Sequence, residues 1–232
     1  MVCSSAGGGR VLRAAFPHTV PVLTGYLVLG FAYGILMQQA GYGPLWTFLM
    51  SLLAFAGSMQ YVAITLLTTA FAPLQAFLLS LMVNARHLFY GISMLEKYAD
   101  AGPWRPYLIF TLTDETFSLL SVTPPPEGVE PRRFYLAVSA LDHLYWVSGS
   151  VLGAAAGRLI HFDTTGLDFA LTALFVVLFI EQLKDLRHAA SGFAGVICAM
   201  AALLLFGPDN MVIPAMAFIV VILICGRKKL CI

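Results

Sequence analysis

Apolar runs of about twenty residues, long enough to cross a bilayer as helices, alternate along this chain with short stretches of helix-ending residues. Eight runs stand out, at roughly 17 to 39, 44 to 70, 73 to 95, 107 to 122, 134 to 158, 166 to 183, 188 to 206 and 211 to 226. Between them lie Gly41, Gly43 and Pro44; Pro73; Gly102, Pro103 and Pro106; Pro124, Pro125 and Pro126; Gly166; and Gly207 with Pro208. Within the third run the polar residues keep the helical advance of about 100° per residue. Ser80, Asn84, Arg86, His87, Tyr90, Gly91 and Ser93 fall on one half of the wheel. Phe77, Leu78, Leu81, Met82, Ala85, Leu88, Phe89, Ile92 and Leu95 fall on the other. The same period places Thr111, Asp114, Glu115, Ser118 and Ser121 on one face of the fourth run. In the fifth, it groups Ser139, Asp142, Trp146, Gly149, Ser150, Gly153 and Gly157. The pattern predicts an all-α, polytopic transmembrane helix bundle of about eight spans, some short or broken.

Composition supports lipid as the solvent. Of 232 residues 59% are hydrophobic and 11% charged, with a mean hydropathy of +0.85, whereas about a quarter of a soluble domain is charged. The net charge of +1 argues against a nucleic-acid partner, which needs a basic surface. Residues 1–16 read as a short cytoplasmic tail, not a signal peptide, because no apolar core precedes a cleavage site. Residues 17–226 then form the transmembrane domain, and 227–232 a basic cytoplasmic tail. With both termini inside, Arg10, Arg13, Arg132, Arg133, Lys184, Arg187, Arg227, Lys228 and Lys229 are cytoplasmic. Lys97, Arg105 and Arg158 lie outside, as the positive-inside rule asks. Cysteines 3, 198, 225 and 231 have no metal-type spacing and read as small apolar residues. No metal site, cofactor or enzyme motif is expected: the chain has no H-E-x-x-H, no rhomboid-like G-x-S-G and no G-x-G-x-x-G.

The candidate chemistry lies in the polar faces. Arg86, left unpaired near mid-bilayer, would be costly by about 2.5 to 3.5 kcal/mol. It either snorkels to a headgroup or meets a partner, and Asp114 and Glu115 on the next span offer one. If those acids sit in lipid rather than in a wet loop, one of them is a candidate proton carrier. Asp142 is a third intramembrane acid, and His87 a further titratable neighbour. Gly57 and Ser58, with Gln60 and Tyr61, interrupt the second run, either as a broken helix lining a cavity or as ordinary interhelical glue. Gly149, Gly153 and Gly157 repeat every four residues, the spacing that lets another helix approach closely. An arginine, several acids, hydroxyls and an amide in an apolar bundle suit a small zwitterion better than a bare ion. Arg86-His-Leu-Phe-Tyr and Asp142-His-Leu-Tyr-Trp resemble each other over a stretch too short to establish a repeat.

The segments AFAGSMQYVAITLL, VNARHLFYGISM and LTDETFSLL resemble the AzlC family of branched-chain amino acid permeases, and the resemblance extends from about residue 17 to the final run. Tyr61 stands where the family pattern has Phe, and Ala85 where it has Leu. The resemblance implies export of branched-chain amino acids, or of azaleucine-like analogues or methionine, through the bacterial plasma membrane, with an AzlD-type small membrane subunit as hetero-oligomeric partner. Arg86, Asn84, Gln60, Ser58, Gly57, Tyr61 and Tyr90 are the residues expected at the substrate. Asp114, Glu115, His87 and Asp142 are those expected to carry protons or ion pairs. A channel, or a structural subunit holding a small partner, is the alternative reading.

Overall fold

The computed structural model describes residues 8–69, 73–159, 186–207 and 211–226, with isolated positions 169, 176 and 180. Among the described residues the chain is helical and contains no strand. It divides into two units, Met1–Leu167 and Asp168–Ile232.

In the first unit, α1 spans Gly8–Gln39, α2 Pro44–Leu53, α3 Gly57–Thr68, α4 Pro73–Asn84 and α5 Arg86–Ser93. A 3-10 helix follows over Ala99–Trp104, then α6 over Arg105–Phe110, α7 over Asp114–Val122 and α8 over Pro131–Leu159. Among the described residues, α1 is the helix long and apolar enough to cross a membrane in one piece. It begins at Gly8, inside the stretch read from sequence as a tail. The reason is packing: Val11 and Ala15 are buried in a core shared with Met94, Leu108, Leu120 and Phe134.

Three of the predicted spans are interrupted. The second breaks at residues 54–56, where Ala56 N donates to Ala54 O at 2.7 Å. The fourth breaks at residues 111–113, where Thr113 N donates to Thr111 O at 3.0 Å. Each break is thus a tight turn closed by a bond between residues two apart, after which a new helix starts at once. The single amphipathic helix expected over 107 to 122 is therefore corrected to two short helices, and Thr111 does not share a face with Asp114. The third span is interrupted more gently. Ala85 keeps right-handed helical dihedrals, while Ala85 N bonds to Met82 O and Leu88 N to Ala85 O, a local 3-10 tightening. The wheel consequently survives the interruption: Phe77, Leu81, Leu88, Phe89 and Ile92 are all more than half exposed on the outward side.

Helices α1 and α8 meet backbone to backbone. A Cβ on Gly149 would lie 2.9 Å from Tyr26 O, and one on Gly30 would lie 3.0 Å from Ser150 N. A Cβ on Gly153 would lie 2.7 Å from both C and Cα of Phe31. Gly157 is looser, its Cβ position 3.4 Å from Gln38 Cβ and Ile35 Cα. Such close approach is how helices associate where lipid gives no hydrophobic drive.

At the far end of α7, Lys97 Nζ donates to Leu120 O at 2.6 Å and to Ser121 O at 2.9 Å. An ammonium here satisfies carbonyls that a helix C-terminus leaves open and meets the negative end of its dipole. Lys97→Met is expected to lower stability by about 1 kcal/mol, read as a drop in the unfolding midpoint in detergent; an unmoved midpoint would remove this role.

The second unit contains helices over Leu186–Phe206 and Val212–Gly226, which pack with Cys198, Ala202 and Ala215 buried and Phe206 facing Phe218. The span expected at 166 to 183 lies almost wholly outside the described residues, as do the basic residues after Gly226.

Candidate functional site

The interruptions converge. Ser58 is the second residue of α3, Arg86 the first of α5 and Asp114 the first of α7. Arg86 Nη2 lies 2.6 Å from Asp114 Oδ2 and donates to Ser58 Oγ at 3.0 Å. Each interrupted span thus places one polar side chain immediately after its break, and the three meet. The side chains of Arg86 and Asp114 are 30% and 16% exposed, so the pair is shielded but reachable. A charge-assisted bond of this length is among the stronger polar contacts available to a protein.

The local sequence explains the α7 end. Thr113 is the N-cap, its Oγ1 accepting from Thr116 N at 3.3 Å. Asp114 and Glu115 fill the first turn, where carboxylates oppose the positive end of the helix dipole. Ala56, the N-cap of α3, makes no side-chain cap bond. That leaves the positive end of α3 uncapped by its own side chain, beside Ser58 and the ion pair.

A second set of contacts runs away from the pair. Tyr26 on α1 donates to Glu115 Oε2 at 2.8 Å and lies 2.6 Å from Thr113 Oγ1. Thr113 Oγ1 is 3.1 Å from Thr116 Oγ1, which is 2.8 Å from Asp142 Oδ2. Asp142 is fully buried, and its Oδ1 has no hydrogen-bond partner among the described residues. Beside it His143 is buried, with Nδ1 3.2 Å from the Tyr107 hydroxyl and its ring against Phe55.

The remaining predicted residues lie around these sets, with the Tyr90 side chain against Asp114. Gln60 is buried, accepts from Trp146 Nε1 at 2.6 Å and donates to Ser51 Oγ at 3.3 Å, tying α3 to α8 and α2. The hydroxyl by which Tyr61 departs from the family pattern donates to Leu29 O at 2.7 Å. Gly57 lies under the Trp146 ring, whose Cη2 would be 3.0 Å from an added Cβ. His87 Nδ1 lies 3.2 Å from Asn84 O, and Tyr90 stacks on Phe117 at 4.3 Å between ring centres. A largely apolar cleft of about 300 Å³ opens beside His87, bounded by Leu88, Ile92, Leu95, Ile109 and Leu112. Tyr26, Thr113 and Thr116 carry contacts that the sequence reading passed over. For the two threonines the signal was a run of hydroxyl residues flanking two acids, TLTDET, whereas Tyr26 lies in an apolar run and gave none.

The interrupted helices of the first unit thus gather an ion pair, a half-buried acid and a buried one within a chain of strongly apolar composition. The AzlC protein family profile matches residues 21–160. The branched-chain amino acid transport protein AzlC of Bacillus subtilis is 47% identical over 219 residues, covering 94% of this chain and 86% of its own length. A Helicobacter pylori relative described as an uncharacterized membrane protein is 40% identical over 222 residues, covering 95% and 97%. The inner membrane protein YgaZ of Escherichia coli is 23% identical over 212 residues, covering 87% and 84%. The chain belongs to the AzlC family. No solved structure matches it.

Proposed function

We propose that this chain is the large subunit of a secondary transporter, not an enzyme, that exports branched-chain amino acids across the bacterial plasma membrane. In this reading it crosses the membrane about eight times with both termini cytoplasmic, and it works with an AzlD-type small subunit that shields its short acidic helices. The observation that carries the reading is the Arg86–Asp114 pair at the meeting point of three helix interruptions. Its charges are the complement of an amino acid's own: a zwitterion entering between them gives its carboxylate to the guanidinium and its ammonium to the carboxylate. Ser58 and Tyr90 border that position and Asn84 precedes Arg86 by two residues, while Gly57, Gln60 and Tyr61 hold the break in the second span. The name of the Bacillus relative supports the substrate class. Proton exchange or the substrate gradient drives export, with Glu115 and Asp142 as the proton-bearing acids and His87 nearby.

Counterflow of radiolabelled leucine, valine, isoleucine and methionine in liposomes, with and without the small subunit, tests this. Saturable exchange of the branched-chain substrates by the complex is expected. Flux that rises linearly with concentration would make the protein a channel. Exchange by the small subunit alone would make this chain a holder of its partner.

A further inference from the structure

We infer that Glu115 and Asp142 share a single proton through a chain of three hydroxyls, so that the acid at one end is neutral whenever the other is ionised. The chain runs Glu115, Tyr26, Thr113, Thr116, Asp142, with successive oxygen separations of 2.8, 2.6, 3.1 and 2.8 Å. Each is a hydrogen-bonding distance, so four links each need a proton.

The three hydroxyls supply only one proton apiece. With both acids ionised, Tyr26 donates to Glu115, Thr116 to Asp142 and Thr113 to Thr116. The shortest link, the 2.6 Å approach of Tyr26 to Thr113, is then left as two oxygens facing each other with no hydrogen between them. Turning Thr113 towards Tyr26 only moves the defect to the Thr113–Thr116 link. The backbone cannot help, because the Thr116 N–H already points at Thr113 Oγ1. One further proton closes the chain, and either carboxyl end can hold it.

With the proton on Asp142, the order of donation is Asp142 to Thr116 to Thr113 to Tyr26 to Glu115. With it on Glu115, every arrow reverses. In passing between the two states, the Asp142 O–H bond breaks as Thr116 gains a hydrogen. Thr116, Thr113 and Tyr26 each hand on one proton, and Glu115 gains the last; one proton has moved and no electron has. Asp142 suits the neutral state, being fully buried with Oδ1 unpartnered among the described residues, because an uncharged carbonyl oxygen tolerates that isolation better than a carboxylate does. The groups facing the chain are Asp114 and Arg86 beside Glu115, and His143, with Tyr107 against it, beside Asp142. The shared proton stands on geometry alone, whereas its use in coupling rests on the transport reading above.

Amide substitutions give a sharp test, because an amide N–H₂ supplies the missing donor permanently. Infrared difference spectra of the detergent-solubilised chain are expected to show a neutral-carboxyl carbonyl band at neutral pH. That band is expected to be lost in Glu115→Gln and also in Asp142→Asn, since each variant closes the chain with the remaining acid ionised. Absence of the band in the wild type, or its persistence in either folded variant, would overturn the shared proton. This measurement needs no transport. In proteoliposomes showing counterflow, the protons moved per amino acid are expected to fall at least about tenfold in either variant. An unchanged ratio would leave the proton in place and overturn its coupling role.

Discussion

Arg86→Gln is expected to lower saturable branched-chain flux roughly thirty- to a hundredfold, equivalent to about 2–3 kcal/mol. The substitution keeps a hydrogen-bonding group beside Ser58 but leaves Asp114, which is 16% exposed, without its guanidinium partner. It also removes the group that would take the substrate carboxylate. Those losses separate in the double variant Arg86→Gln, Asp114→Asn. Without a stranded charge, its membrane level is expected to return towards normal while flux stays low. Cells fed a valine-containing dipeptide and carrying either variant are expected to accumulate valine. Flux of the double variant recovering along with its abundance would show that the pair holds only the fold. The conservative Arg86→Lys separates the geometries further, because an ammonium cannot grip a carboxylate with two parallel bonds. Normal export by Arg86→Lys at normal membrane levels would remove Arg86 from the substrate site.

The second large effect is expected at Gly153. Its added Cβ would lie 2.7 Å from the C and Cα of Phe31, atoms of a helix backbone with no side-chain rotation to give way. Gly153→Ala is therefore expected to lower stability by about 1–3 kcal/mol or more, the range for overpacking a filled contact. The measurement is the unfolding midpoint and the monodisperse fraction on size exclusion in detergent. Gly157→Ala is the matched control: at 3.4 Å from its nearest atoms, two of them Gln38 side-chain carbons, its Cβ makes ordinary van der Waals contact. Equal losses in the two variants would mean that the close α1–α8 approach is not what the glycines secure.

Much of this arrangement could be read along the chain. Proline punctuation marks the starts of α2 and α4, the wheel separates the exposed face of the third span from Arg86, and the acids after Arg86 lie on the next span. The breaks were less legible. Residues 54–56 are Ala-Phe-Ala and residues 111–113 are Thr-Leu-Thr, with neither glycine nor proline among them. Gly57 and Ser58, the residues that looked weak, begin α3 and do not interrupt it. Both turns are held from outside. Phe55 packs on the rings of Tyr26 and His143, and Thr113 bonds to Tyr26 and Thr116. Such contacts join residues far apart in sequence, and periodicity carries no record of them. The hydroxyl chain was hidden for a related reason. Tyr26 lies in an apolar run of α1, and only folding brings its hydroxyl to the acids of α7.

The glycine contact between α1 and α8 also bears on how such a molecule can move. Two helices whose backbones already touch have no layer of side chains to slide on, so neither can shift or roll along the other without first lifting away. In the transport reading proposed above they are the fixed part. In that reading, displacement within the first unit falls instead to the short pieces, α3, α5 and α7, whose first turns hold Ser58, Arg86 and Asp114 and which are joined by tight turns before α3 and α7 and by a 3-10 tightening before α5. Tyr26 stands on the fixed part and Glu115 on a movable one, so the bond between them is where the two meet. A stroke that swings α7 from α1 must break that bond, and with it the path of the proton.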